Sequence, residues 1–389
     1  MTPLQAQQQL ILLAASTAER RRRMGARAHA LASRVDWSEL GGALATRRLL
    51  PTLGPRIVTL AGERVDEGFA TAVERSLEAG RRQAALLSLT CERVGAALAQ
   101  AGIDSAPLKG PALGEAIYGD PGRRPSSDVD VLVTRERLHD AAQTVRGLGY
   151  APPADHLDRE GLPLLHLALV HERGELPPVE LHWRVHWYER SFAEDRLLRA
   201  GASSPAGRRP APIDELTALL LFYARDGFLD LRLACDVGAW WDTFGKRLTP
   251  GALVQALENY PKLARVLVAS AHVAEKIVGL PAQTLIGGRR PDLRGRIALR
   301  MATPNPHGRS QAQLHAEIGL IDGLLAPAGG GGAFARRQLL PPRAVLSERA
   351  QRAPQGQPIS PVGHAMRVLR HYGPAFARLV RTPETLHPA

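Results

Sequence analysis

Apolar positions in residues 1–104 recur every three or four residues, the period of helices that bury one face. This pattern predicts a helix over 5–18 with the charged exit Glu19 to Arg23, a second helix starting at Asp36, and a long one over 69–102. Asp36 followed by Glu39 has the form of a capping box, in which the first side chain accepts a helix N–H. Cys91 falls inside the long helix, where a free thiol acts as a small hydrophobe. The Arg20–Arg23 run reads as a solvated helix end whose cations complement the helix dipole.

From 102 onward the pattern mixes periods of two and 3.6. Strands are predicted over 105–108 and 129–133, with a helix over 111–118 and a polar loop over 119–127 between them. A helix over 135–148 ends at Gly149, and strands over 164–171 and 179–185 form a hairpin about the turn at 174–178. Helical spacing returns over 214–225, 229–244, 250–258 and 263–278. Gly329 to Gly332 reads as a flexible joint, and 360–381 as a last helix exposing Arg367, Arg370, Arg378 and Arg381. The fold class is therefore α+β. A helical region (1–104) precedes a small mixed-sheet α/β core (105–200), a second helical region (201–328), and a joint with a basic helix (329–389).

Composition narrows the partners. The 389 residues allow two or three domains, and 44% apolar with 23% charged residues is ordinary for a soluble protein. Charged residues interrupt every apolar stretch before it could span a membrane, and Met1 to Leu13 carries no basic residue of the kind a signal peptide needs. Two widely separated cysteines, Cys91 and Cys235, point to a reducing cytoplasm. The net charge of +12 rests almost wholly on arginine. It suits a polyanionic partner such as a nucleoside triphosphate or nucleic acid, although an Ala/Arg/Gly/Pro-rich composition accounts for it equally well.

The chemistry is concentrated in 106–134. Alternation along Asp128-Val129-Asp130-Val131-Leu132-Val133 puts Asp128 and Asp130 on one strand face. Two adjacent carboxylates repel unless a cation sits between them, and a hard divalent ion such as Mg²⁺ is the natural occupant. Upstream, Leu108-Lys109-Gly110-Pro111 is a strand end, a glycine turn and a helix start with proline in its first position. Free N–H groups and the positive end of the helix dipole make such a corner an anion site.

Leu108-Lys109-Gly110, Leu113, Tyr118, Arg123 or Arg124, Asp128-Val129-Asp130 and the later Val179-Glu180-Leu181-His182-Trp183 together resemble an uncharacterised bacterial nucleotidyltransferase family of the polymerase-β-like superfamily. The resemblance implies two Mg²⁺ ions held by Asp128, Asp130 and Glu180, and a nucleoside triphosphate, ATP first among them, whose nucleotidyl group passes to an acceptor as pyrophosphate leaves. Lys109, Gly110, Arg123, Arg124, Ser127, His182 and Arg232 are the candidates for binding the nucleotide. Alternation along 179–183 independently puts Glu180 and His182 on one face. The wider superfamily has serine after the glycine, whereas this chain has Pro111, so lysine takes over as the phosphate partner. Arg232 and Asp236, one helical turn apart, are also spaced for an ion pair with each other.

His182 and His186, with His166 and His171 upstream, invite a zinc reading, but on one strand 182 and 186 lie about 13 Å apart, too far to share one metal. No nucleophile elbow, paired Cys-x-x-Cys or P-loop occurs. The acceptor is open among a small molecule, a peptide, a protein and an RNA end. A different class, motivated by Pro111 and the basic surface, is a catalytically inactive nucleotide- or RNA-binding protein on the same fold.

Overall fold

The computed structural model describes residues 1–152, 165–199, 202–204, 207–302, 311–330, 332 and 360–381. Five strands form one mixed sheet: β1 (Ala106–Pro107), β2 (Val129–Leu132), β3 (Tyr150–Ala151), β4 (His166–His171) and β5 (Val179–His182), in the order β1-β2-β5-β4-β3. β2 and β5 run parallel, and the other neighbours are antiparallel. The rest of the described chain is mainly helical, so the molecule is α+β.

Local chemistry explains the N-terminal elements. Thr2 and Gln5 form a reciprocal capping box on the helix Pro3–Ala15, and Asp36 accepts from the Glu39 N–H at 2.9 Å to start Trp37–Thr46. The long helix runs Glu67–Gln100, capped by Asp66, and Pro111–Tyr118 forms as its pattern predicts. In the second half the helices Pro212–Arg225, Leu231–Phe244 and Ala264–Val278 follow the apolar period. The fourth is shorter, Val254–Asn259, because Gly251 turns the chain at φ 75°. The 135–148 helix is trimmed to Leu138–Arg146 and capped by Gly147, while Gly149, at φ 90°, turns the chain into β3. That two-residue strand has no periodicity to betray it.

One sheet face is apolar. Val129, Val131, Val133, Val179, Leu181 and Trp183 pack with Leu87, Val94 and Leu98 of the long helix and with Leu138, Ala141 and Val145. Burying side chains of this size stabilises by about 1.5–3 kcal/mol each, so this layer fixes the register of β2 against β5. Leu132, alternating to the opposite face, joins the larger core that the helices before and after the sheet share. Those helices meet directly, Pro3–Ala15 touching both Leu231–Phe244 and Ala264–Val278.

The Arg20–Arg23 run is not a uniformly solvated helix end. Arg20 donates to the carbonyls of Glu275, Lys276 and Ile277, closing the end of Ala264–Val278, and Arg21 pairs with Asp242 at 3.1 Å. Arg22 and Arg23 are exposed. Cys91 is half-buried and Cys235 buried, and burial pushes their thiols up to about 11 and about 12. Among the described residues no helix is long and apolar enough to cross a membrane. Gly331 of the anticipated glycine joint and 333–359 lie outside the described residues, as do the side chains of Arg378 and Arg381; Arg367 and Arg370 are exposed.

Candidate active site

The parallel register of β2 and β5 sets Asp130 directly beside Glu180, with Leu132 beside His182. Asp128 stands two residues before Asp130, with Ser126 Oγ donating to its Oδ1 at 3.1 Å. The three carboxylates feel one another. Burial pushes the Asp128 carboxyl up, and the charges of Asp130 and Glu180 add to the push, with Lys109 opposing it.

Asp130 is the centre. Its side chain is wholly buried, with Lys109 Nζ 3.2 Å from Oδ2 and His182 Nε2 2.9 Å from Oδ1. Burial alone would raise its carboxyl, but Lys109 and His182 together overcome that and hold it below the ordinary carboxylate range. His182 Nε2 is also 3.3 Å from Glu180 Oε2. Nε2 therefore lies within reach of both acids at once. Burial also opposes ionisation of Glu180, yet His182 and His166 leave its carboxyl below its usual value.

Lys109 is held by the corner that the sequence suggested. Gly110 adopts φ 95°, ψ −154°, a conformation essentially reserved for glycine, and hands the chain to Pro111 at the first position of Pro111–Tyr118. A Cβ there would meet nothing within 4 Å, so backbone geometry, not space, requires the glycine. The Lys109 ammonium also lies 5.1 Å from the centre of the Phe222 ring. Ser127 is exposed beside Asp128.

The arginines are arranged differently from the expectation. Arg124 is buried and its Nε donates to Asp236 at 2.9 Å, while Tyr118 donates to the same carboxylate at 2.9 Å. Arg124 therefore fastens the 118–125 segment to the helix Leu231–Phe244, because a guanidinium this deeply buried needs a counter-charge. Arg232 does not pair with Asp236. It donates to the Pro125 carbonyl at 2.9 Å and to Asp230 at 3.1 Å, bracing the loop that leads to Asp128. Arg123 turns to the Tyr118 ring, 5.2 Å from its centre, and borders a cavity under the N-terminal helices.

The sequence set His166 aside together with the zinc reading. It lies opposite His182 in the β4–β5 pairing, the ring centres 4.8 Å apart, and its Nε2 is 3.6 Å from Glu180 Oε1. The ligand atoms of His166, Glu180 and His182 lie within 4.8 Å of one another, close enough to share a metal ion. Burial, and then the neighbouring His182, push His166 down to about 4, which keeps its ring neutral and able to ligate. His186, by contrast, is buried beside Trp187 and Tyr188 and is not part of this trio. The signal was the antiparallel hairpin itself, since 166 and 182 face each other only once its register is known.

A family model described as an uncharacterised nucleotidyltransferase matches residues 33–279, most of the chain and all of this site. The chain belongs to that family. Nucleotidyl transfer is thus the class of chemistry assigned to this family member, and a nucleotide is its class of substrate. No curated protein and no solved structure matches the chain.

Proposed function

We propose that the chain is a Mg²⁺-dependent nucleotidyltransferase with a polymerase-β-like core. It would move a nucleoside monophosphate from a nucleoside triphosphate, ATP first among them, to an acceptor, with release of pyrophosphate. The observation that carries this reading is the side-by-side register of Asp130 and Glu180, with Asp128 on the same strand as Asp130 and Lys109 at 3.2 Å.

The residues present fit divalent cations. Three carboxylates share one corner, and the Asp128 carboxyl is pushed up first by burial and then by its acidic neighbours, a repulsion that a divalent cation would relieve. Asp128, Asp130 and Glu180 would hold two Mg²⁺ ions, which when bound neutralise the triphosphate and the pyrophosphate as it departs.

The chain's own groups do the positioning. The N–H groups following Gly110 and the dipole of Pro111–Tyr118 would receive phosphate oxygens, and Lys109 would exchange Asp130 for one of them, compensating for the hydroxyl that Pro111 lacks. Ser127, exposed beside Asp128, is a further candidate for the triphosphate. His182 keeps Asp130 and Glu180 oriented through Nε2. Arg232, bonded to the Pro125 carbonyl, holds the Asp128 loop in register with the strands. Fixing reactants in this way is the larger part of what a protein adds to such a displacement.

Supplying purified protein with each α-³²P nucleotide in a cell lysate tests the reading and reports both base and acceptor. Mg²⁺-dependent label in a distinct product, lost in a folded Asp130→Ala variant, supports it. Nucleotide or RNA affinity with no label under any condition would favour the non-catalytic binding protein.

A further inference from the structure

A cavity of about 580 Å³ lies where the helices Ala18–Arg23, Gly25–Ala32 and Leu50–Ala61 meet the turn Pro121–Arg123. Four arginines line it, Arg21, Arg22, Arg56 and Arg123, and no acidic residue does. None of Lys109, Asp128, Asp130, Glu180 or His182 borders it.

Solvated arginines on a basic surface would spread apart, but these are held together. Arg56 and Arg123 both lie over the Tyr118 ring, 5.4 and 5.2 Å from its centre. The Arg21 side chain is only 18% exposed, and its one carboxylate partner is Asp242. Arg22, Arg56 and Arg123 form no ion pair among the described residues, and Arg123 Nε is buried without a partner. Burial, followed by the charge of Arg56, pushes the guanidiniums of both Arg21 and Arg123 down. Like charges confined in this way are destabilising until an anion joins them. Gly25 also lines the cavity. Pro55 and Leu60 supply an apolar wall, and the volume falls in the range of small-molecule sites.

We infer that this cavity is a second anion site, separate from the carboxylate corner, which takes the phosphate of a small phosphorylated molecule. Guanidinium forks match phosphate oxygens in pairs, and Pro55 and Leu60 would cover the organic part. The phosphate could come from the pyrophosphate that a nucleotidyl-transfer reaction releases, from inorganic phosphate, or from a phosphate ester.

Calorimetric titration in EDTA, where the carboxylate corner has no divalent ion with which to hold phosphate, tests the inference. Phosphate, pyrophosphate and AMP serve as separate probes at constant ionic strength. At least one probe binds the wild type and Asp130→Ala alike, and Kd weakens about tenfold, or about 1.4 kcal/mol, for each of Arg22→Gln and Arg56→Gln. The probe that binds most tightly separates pyrophosphate, inorganic phosphate and the ester as the source. Arg22 is exposed and unpaired, so its variant remains informative if Arg56→Gln fails to fold. Binding of none of the three probes, or binding lost in Asp130→Ala and unchanged in the arginine variants, overturns the site. Either result leaves the nucleotidyltransferase reading to its own test.

Discussion

Replacing Asp236 by alanine should unsettle the active-site loop from a distance. Its carboxylate is wholly buried and accepts from Arg124 Nε at 2.9 Å and from Tyr118 at 2.9 Å, while the Arg124 side chain is 2% exposed. Removing one partner of such a buried pair costs roughly 3–5 kcal/mol, because the remaining charge is stranded out of water. The lost Tyr118 acceptor adds about 1 kcal/mol, with part of that shared. A total near 4 kcal/mol is a large fraction of the ~5–15 kcal/mol by which domains are stable, and corresponds to a fall of about 5 °C in Tm for a chain of this length. Urea and thermal melts of Asp236→Ala, Arg124→Met and the double variant Arg124→Met/Asp236→Leu measure it. The double variant should lose far less than the two single losses combined, since an apolar pair replaces the ionic one. A loss below about 1 kcal/mol in Asp236→Ala, or simple additivity in the double variant, would refute the pairing as the fastener of the 118–125 segment.

Other outcomes follow from neighbouring features. Gly110→Ala forces alanine into φ 95°, ψ −154° in otherwise open space, so urea melts should show a loss of about 1–3 kcal/mol from backbone strain alone. Arg20→Ala removes a cation that caps three carbonyls at the end of Ala264–Val278 and should cost about 1.5–3 kcal/mol. Asp128→Asn should raise Tm at neutral pH while abolishing transfer. Its folded carboxyl is pushed above the unfolded value, so stability present below the ordinary carboxylate range is lost as pH rises through the folded pKa, and the gain should vanish in acid. Added Mg²⁺ should raise the Tm of the wild type and leave Asp128→Asn nearly unchanged, as a thermal-shift series will show.

Residue patterning revealed more of the site than of its surroundings. Val129 to Val133 and Val179 to Trp183 alternate so strictly that the acidic faces of both strands were legible, and Gly110-Pro111 marked the helix start to the residue. Both are local signals of period and turn chemistry. What stayed hidden depends on residues far apart in the chain. Arg124 looked like a phosphate ligand because nothing nearby reveals that Asp236, 112 positions later, will neutralise it. Arg232 and Asp236 looked like partners because i,i+4 spacing permits a pair without requiring one. His166 meets His182 through a hairpin register that no single strand encodes.

The most direct measurement of the central claim is pyrophosphate release, with an acceptor-containing lysate fraction, by the wild type, Asp130→Ala and Glu180→Ala in Mg²⁺ and in EDTA. Release by the wild type is expected in Mg²⁺ alone, with a drop of about 10³-fold or more in each variant, matching several kcal/mol of lost charge stabilisation, and far-UV circular dichroism unchanged. Release that persists in EDTA, or that survives in either folded variant, would contradict it.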